Sequence, residues 1–299
     1  MNLRTLLPPL FLLSACVLTE DGTIEATCDE LNTCDSIEDG GIVYVEARGD
    51  SDAGSLEWRV AVLNGYGETL EEWSGQGEPG PVVYERSTST VYLAVNDSVR
   101  ILRDSIPPAI PDIVGMTDAI PVEDGVFFAY KDFVGRILGD SFDKRQALEN
   151  GTVYHVARPL DPAHFATLLE INGDDAFLLH IGPNPSDAAK WSLTTERLPE
   201  VKRNRLFDLF SDGTDYYSCA DTGATFLVVP GVGINEQPDR YPNSANFSDL
   251  LSCDYRPQTD EVLLVSGTGG IALMNSKSEL NFLVDAPTDG WRAVHGSVW

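Results

Sequence analysis

Basic residues are scarce in this sequence, which has 20 Lys and Arg against 47 Asp and Glu and a formal net charge of −27 at pH 7. A chain this acidic is repelled by phosphate backbones, so nucleic acid is not expected as a partner. Histidine is rare too, and the spacing of the four residues matches no common metal motif. They are His155, His164, His180 and His295. We therefore expect no metal site and no cofactor.

Recognisable catalytic motifs are also lacking. There is no G-x-S-x-G nucleophile elbow, and the glycine-rich segments 231–233 and 267–270 lack the third glycine and the following helix of a dinucleotide loop. Acidic residues are too numerous for a glycosidase pair to be singled out. The sequence thus favours a non-enzymatic role and leaves catalytic activity open.

Long apolar runs are missing as well. Residues 6–13 form a short run after Arg4, far below the roughly 20 apolar residues that a membrane-spanning helix needs. The run leads into Leu13-Ser14-Ala15-Cys16, which resembles the lipobox of bacterial lipoprotein precursors. That resemblance implies that residues 1–15 are a cleaved signal peptide and that Cys16 becomes an N-terminus carrying acyl chains such as palmitate. The alternative is an ordinary secretory signal with Cys16 near the cut.

The segment after the cysteine is strongly acidic. It has eight Asp and Glu and no Lys or Arg between residues 17 and 41, with little apolar periodicity. Such a segment cannot bury enough surface to offset its ordering entropy, so residues 16–41 are predicted to be a solvated, lipid-anchored tether. Val17 stands where an inner-membrane retention signal has Asp, which favours the outer membrane of the bacterial envelope as the location.

Cysteine is sparse, with five residues in the chain. Once Cys16 is assigned to lipid, an even number remains, as disulfide pairing in an exported protein would leave. Four cysteines allow three connectivities. Sequence separation favours Cys28 with Cys34 and Cys219 with Cys253.

Residues 42–299 show one pattern repeatedly: a short apolar strand, a Gly, Asn or Asp turn, and a second strand. The strongest example is 56–63, turning at Asn64-Gly65 into 66–73. Successive hairpins are separated by 32 to 49 residues, counted between the markers Val60, Tyr92, Phe128, Phe177, Tyr217 and Leu263. Intervals of this size are typical of propeller blades. A segment at 161–171 can be read equally as a helix or a strand.

The segment VLLVSGTGGIALMN with the later WRAVHGSVW resembles blades of bacterial β-propeller proteins. The predicted fold is an all-β propeller of six blades, with seven as the second choice and a β-sandwich as the alternative. Residues 42–47 and 291–299 would close the ring by sharing one blade. No per-blade signature repeats cleanly.

These features favour a non-enzymatic recognition or scaffold module, held at the membrane by lipid and binding an envelope protein or glycan. The alternative is an envelope hydrolase or lyase with histidines and carboxylates converging on the central channel. Recognition is expected from loops at one end of the propeller, namely 182–190 and the excursion 231–246 with Arg240 and Tyr241.

Overall fold

A computed structural model describes most of the chain. The described residues are 17–18, 24–25, 40–49, 56–96, 98–103, 109–111, 115–122, 125–130, 133–138, 141–147, 153–172, 175–185, 190–198, 206–220, 225–230, 232–236, 250–268, 270–284 and 290–299. Contacts divide the chain into two units, Met1–Glu38 and Asp39–Trp299. Cys16, Cys28, Cys34 and the signal segment lie outside the described residues, so the predictions made for them stay predictions.

The first unit contains one short antiparallel pair inside the predicted tether. Strand β1 (Val17–Leu18) pairs with β2 (Ile24–Glu25). Among the described residues, no helix combines the length and hydropathy needed to cross a bilayer.

The second unit consists of six four-stranded antiparallel sheets, the blades of a β-propeller. Blades 1 to 3 contain β26 (Trp291–Val298), β3 (Ile42–Arg48), β4 (Glu57–Leu63) and β5 (Thr69–Gln76); β6 (Pro79–Glu85), β7 (Thr90–Val95), β8 (Ser98–Leu102) and β9 (Ala109–Pro111); and β10 (Met116–Val122), β11 (Gly125–Tyr130), β12 (Phe133–Leu138) and β13 (Ser141–Ala147). Blades 4 to 6 contain β14 (Val153–Ala157), β15 (Ala166–Asn172), β16 (Asp175–Gly182) and β17 (Ser192–Leu198); β18 (Leu206–Ser211), β19 (Tyr216–Ala220), β20 (Thr225–Val229) and β21 (Gly233–Glu236); and β22 (Leu250–Arg256), β23 (Glu261–Ser266), β24 (Gly270–Asn275) and β25 (Leu280–Val284).

The middle strand β11 is apolar throughout because the neighbouring blades cover both faces of blade 3. On β11, Phe127 packs into the core between blades 3 and 4, while Phe128 packs into the core between blades 2 and 3. Successive side chains of a strand point to opposite faces, so a strand buried on both sides has no polar position. One apolar cluster lies between each pair of neighbouring blades.

Blade 1 is shared between the two ends of the unit, as the sequence predicted. Strand β26 pairs antiparallel with β3 from Trp291 opposite Arg48 to Val298 opposite Ile42. The main chain continues this pairing, since Trp299 N–H donates to the Gly41 carbonyl over 3.0 Å. Gly41 leaves no room for a side chain, because a Cβ there would lie 2.2 Å from the Trp299 ring.

The structure decides the alternatives that the sequence left open. The body is a six-bladed propeller, neither seven-bladed nor a sandwich. The ambiguous segment 161–171 is a loop followed by β15, because Ala166–Asn172 pairs with β14 and β16 on its two sides. The predicted excursion 231–246 includes a strand, since Gly233–Glu236 pairs with β20 as β21.

The predicted Cys219–Cys253 disulfide is confirmed. It joins β19 of blade 5 to β22 of blade 6, with the two Cα atoms 6.4 Å apart. Both residues belong to the apolar cluster between those blades. The bridge is therefore a covalent link across an inter-blade core.

Replacing both Cys219 and Cys253 with Ala should lower the free energy of unfolding by about 3 to 4 kcal/mol, the chain-entropy value for a 34-residue separation. Urea denaturation in oxidising buffer would measure the difference. Adding dithiothreitol should bring the wild-type midpoint down to that of the double variant. A wild-type urea midpoint that stays the same when the reductant is added would contradict the prediction.

Candidate functional site

The first strands of the blades bring titratable side chains to the propeller axis. Five of these six strands contribute one: Asp118 on β10, His155 on β14, Asp208 on β18, Asp254 on β22 and His295 on β26. His295 Nε2 of blade 1 lies 3.6 Å from Asp118 Oδ1 of blade 3. Residues of non-neighbouring blades can be this close only across the axis.

The three carboxylates share one hydrogen-bonding pattern. One oxygen accepts from the next residue's own N–H, and the other accepts from a backbone N–H of the following blade. The Oδ2 atoms of Asp118, Asp208 and Asp254 accept from the backbone N–H groups of Val156, Cys253 and Val298, respectively. The donor–acceptor distances are 2.6, 2.9 and 2.8 Å. The carboxylates therefore tie neighbouring first strands together at the axis.

Local strand irregularity positions two of these residues. The pairing register shifts between Met116 and Asp118 on β10, and between Leu206 and Asp208 on β18. A bulge adds a residue to one strand and re-aims the side chain beside it. Each bulge thus directs an Asp side chain to the next blade.

Burial sets the protonation of these groups. It raises the pKa of Asp118 to about 7 and that of Asp208 well above its usual range, where neighbouring Asp118 acts in the same direction. It lowers the pKa of His155 to about 4, with help from nearby His295. Burial likewise lowers the pKa of His295 and raises that of Asp254.

The two axial histidines differ in their partners. His295 Nδ1 accepts from the Val82 N–H over 3.3 Å, so a neutral His295 carries its proton on Nε2, the nitrogen facing Asp118. His155 Nδ1 lies 3.8 Å from Asp208 Oδ1, beyond hydrogen-bonding distance. Its Nε2 is buried and has no hydrogen-bond partner within the described residues.

Free space on the axis is small. The cavity against Asp118, Asp208 and His295 has a volume of about 10 Å³. That is roughly the space that one water molecule requires. No organic substrate can enter a cavity of this size.

The other two histidines lie away from the axis, near β15 and β16. The rings of His164 and His180 are 5.3 Å apart. His180 Nδ1 is 3.0 Å from Thr167 Oγ1, which in turn is 2.8 Å from the Tyr216 hydroxyl. Tyr216 accepts from the Leu160 N–H, so this polar chain connects blades 4 and 5.

A larger cleft lies on the face of blade 1. It has a volume of about 480 Å³, and its described lining residues are Tyr44, Glu46, Arg59, Val60, Ala61, Glu72, Trp73, Ser74 and Trp291. Its charges are fixed by contacts, because Arg59 Nε donates to Glu46 Oε2 over 2.5 Å and its guanidinium lies 4.6 Å from the Trp291 ring centroid. Burial raises the pKa of Tyr44 to about 12, so its hydroxyl remains protonated.

The described parts of the two loops proposed for binding lie at the same end of the propeller. Loop 182–190 connects the third and fourth strands of blade 4, and the turn before β21, which begins the excursion 231–246, connects the third and fourth strands of blade 5. Residues 186–189 and 237–246 lie outside the described residues. Arg240 and Tyr241 lie outside the described residues, and their role stays a prediction.

The enzymatic alternative drawn from the sequence expected histidines and carboxylates to converge on the central channel, and His155 and His295 do lie there beside aspartates. Sequence reasoning did not identify which carboxylates take part, and it missed the cleft. A usable signal was the single Asp or His within otherwise apolar segments, as in 116–120 and 206–210.

A turn motif shared by two blades was missed as well. Asn64 Oδ1 accepts from the N–H groups of Tyr66 and Glu68, and Asn275 does the same for Lys277 and Glu279. The repeated pattern is Asn-x-x-x-Glu in the last hairpin of blades 1 and 6.

Comparison with known proteins supports the fold alone. No protein-family model matches the chain, and no curated protein matches it in sequence. A protein of unknown function from Bacteroides caccae aligns over 87% of this chain and 98% of its own, with 11% identity and a TM-score of 0.54. A functionally unknown protein from Desulfotomaculum acetoxidans aligns over 86% and 99%, with 11% identity and a TM-score of 0.50. The WD40 domain of Neurospora crassa Pan2 aligns over 73% and 68%, with 12% identity and a TM-score of 0.46.

Replacing Asp254 with Ala should destabilise the propeller by about 2 kcal/mol, since the Tyr255 and Val298 N–H groups lose their acceptor in a partly buried setting. Thermal and urea unfolding would measure the loss. Asp161→Ala is the control, because its carboxylate is largely exposed and accepts from a turn N–H. Equal stability of the Asp254 and Asp161 variants would contradict the axial role.

Proposed function

We propose that this protein is a non-enzymatic recognition module of the bacterial cell envelope, anchored through lipid on Cys16, and that the blade 1 cleft binds an envelope glycan. The cleft is the observation that carries the proposal. Its volume of about 480 Å³ lies within the range of ligand-binding pockets, whereas the axial cavity of about 10 Å³ does not.

The lining of the cleft fits a saccharide. Carboxylate and guanidinium groups form charge-assisted hydrogen bonds with hydroxyl groups, and Glu72 and Arg59 offer them on one face of the blade. Tyr44 offers ring surface to the apolar C–H side of a sugar, while the Trp291 ring positions the Arg59 guanidinium in the cleft. Four strands position these groups, so little conformational entropy is lost on binding.

Rigid placement also supports recognition. Glu46, with a side chain 3% exposed, is neutralised by Arg59, and Arg59 in turn lies over the Trp291 ring. Arg48 lies over the same ring with its centroid 4.8 Å away. These contacts hold the polar groups of the cleft in place before any ligand arrives.

A hydrolase or lyase at the axis fits the geometry less well. His155 and His295 do lie beside Asp118 and Asp208, as that alternative requires. However, both aspartates already accept backbone hydrogen bonds, and the adjacent cavity has room for about one water. The axial cluster thus lacks access for a substrate.

Cleft variants test the binding role. Glu72→Gln and Trp291→Ala should each weaken binding of oligosaccharides, displayed on an array of bacterial envelope glycans, by about tenfold or more, equivalent to roughly 1.4 kcal/mol. Isothermal titration with the best array ligand would give the affinities. Glu71→Gln is the matched control, because adjacent strand residues point to opposite faces. Equal losses in the Glu71 and Glu72 variants, or no array binding by the wild type, would contradict the proposal.

Membrane anchoring is tested separately at Cys16. The wild-type protein, expressed in a Gram-negative host, should fractionate with membranes and begin at Cys16 with acyl chains, because several chains give stable insertion where one does not. Cys16→Ser should move the protein to the soluble fraction. Intact mass spectrometry would measure the modification, and an unmodified Cys16 thiol would refute the anchor while leaving the cleft untested by this route.

A further inference from the structure

We propose that Asp118, His155 and Asp208 bind one divalent transition-metal ion on the propeller axis, with Zn²⁺ as the best-fitting candidate. One ligand atom from each of these three residues lies within 4.8 Å of those of the other two. The site does not depend on the proposed glycan cleft, which lies on the face of blade 1.

The first argument is the state of His155. Its side chain is 9% exposed, its Nε2 has no hydrogen-bond partner among the described residues, and its Nδ1 stands 3.8 Å from Asp208 Oδ1. A buried imidazole without partners is costly, since burial removes its water contacts. A metal ion bound at Nδ1, the nitrogen nearer Asp208, would give this imidazole a polar partner.

The second argument is charge. Asp118 and Asp208 have side chains only 5% and 6% exposed and converge at the same point of the axis. Two carboxylates buried this close together need a shared proton or a cation to balance their charge. A divalent cation would displace the proton and balance both carboxylates at once.

The third argument is geometry and ligand type. Two ligand atoms of a tetrahedral zinc site are about 3.4 Å apart. The 3.8 Å between His155 Nδ1 and Asp208 Oδ1, and the separations of up to 4.8 Å within the cluster, must therefore shorten when the ion binds. One nitrogen and two carboxylate ligands suit Zn²⁺, whereas Ca²⁺ requires six to eight oxygens.

Hydrogen bonds from the backbone fix the orientation of the two aspartate carboxylates. The two aspartates are oriented by backbone N–H donors from Ala119, Val156, Leu209 and Cys253. Such outer contacts hold ligands in place for a metal. His295 is not assigned as a ligand, because its Nδ1 accepts from Val82 and its Nε2 then carries the proton.

The consequence would be a metal link between blades 3, 4 and 5, since each ligand comes from a different first strand. An ion that binds only the folded state stabilises it by mass action. The full-length protein, stripped with EDTA and dialysed, should therefore bind about one equivalent of Zn²⁺. Its melting temperature should rise by roughly 5 °C or more when the free metal is a hundredfold above the dissociation constant.

His155→Phe is the decisive variant, because the His155 side chain has no hydrogen bond within the described residues and a ring of similar size replaces it. It should fold without metal and lose both the bound zinc and the thermal shift. His164→Phe is the matched control, since His164 also has a buried ring nitrogen without a hydrogen-bond partner among the described residues but lies outside the cluster. It should keep both properties.

Zinc content by mass spectrometry and thermal unfolding by circular dichroism would decide the matter. The proposal is overturned if the wild type shows no zinc-dependent shift, if His155→Phe retains it, or if Ca²⁺ gives the same shift as Zn²⁺. If His155→Phe does not fold, the visible absorption spectrum of the wild-type protein with added Co²⁺ provides the test. Visible bands of low-coordinate cobalt with a nitrogen ligand support the site, and the spectrum of aqueous cobalt overturns it.

Discussion

Pairing of the last strand with the first propeller strand is the constraint on which the rest of the body depends. Strands β26 and β3 meet along their full length, and Trp299 and Gly41 extend the contact through the main chain. Each blade buries both faces against neighbours, so an open ring would expose two apolar faces to water. Arg256 reinforces the junction, since its Nε donates to the Gly40 carbonyl over 2.6 Å. Closure and inter-blade packing therefore stabilise one another.

The axis is held together by polar contacts rather than by apolar packing alone. Each axial Asp accepts a backbone hydrogen bond from its own strand and another from the next blade, and Asp208 accepts a third from the Ser252 hydroxyl. These bonds connect first strands that have no ladder between them. This arrangement removes the need for large side chains where six strands converge. It also concentrates carboxylates and histidines in a small volume, which produces the raised pKa of Asp118 and Asp208 and the unpaired imidazole of His155.

Structural and recognition roles are separated in the molecule. The axial cluster is enclosed and committed to inter-blade contacts, whereas the blade 1 cleft is open and has space for a ligand. The cleft occurs on the blade built from both ends of the unit, where Trp291 from β26 is placed next to Arg48 and Arg59. A propeller can vary such surface groups freely, since its stability comes from the cores between blades.

The sequence by itself determined the repeat, the blade period, the closing strands and the Cys219–Cys253 pair. These follow from local patterns: apolar runs of strand length, turn residues between them, and cysteines in neighbouring repeats. The helix or strand ambiguity at 161–171 could not be resolved locally, because the pairing of Ala166–Asn172 with two neighbouring strands decided it. Only the tertiary structure brought Asp118, His155 and Asp208 together, and only it placed Trp291 beside Arg59. Those residues are 37 to 232 positions apart, and their contacts arise from ring closure, which no local pattern encodes.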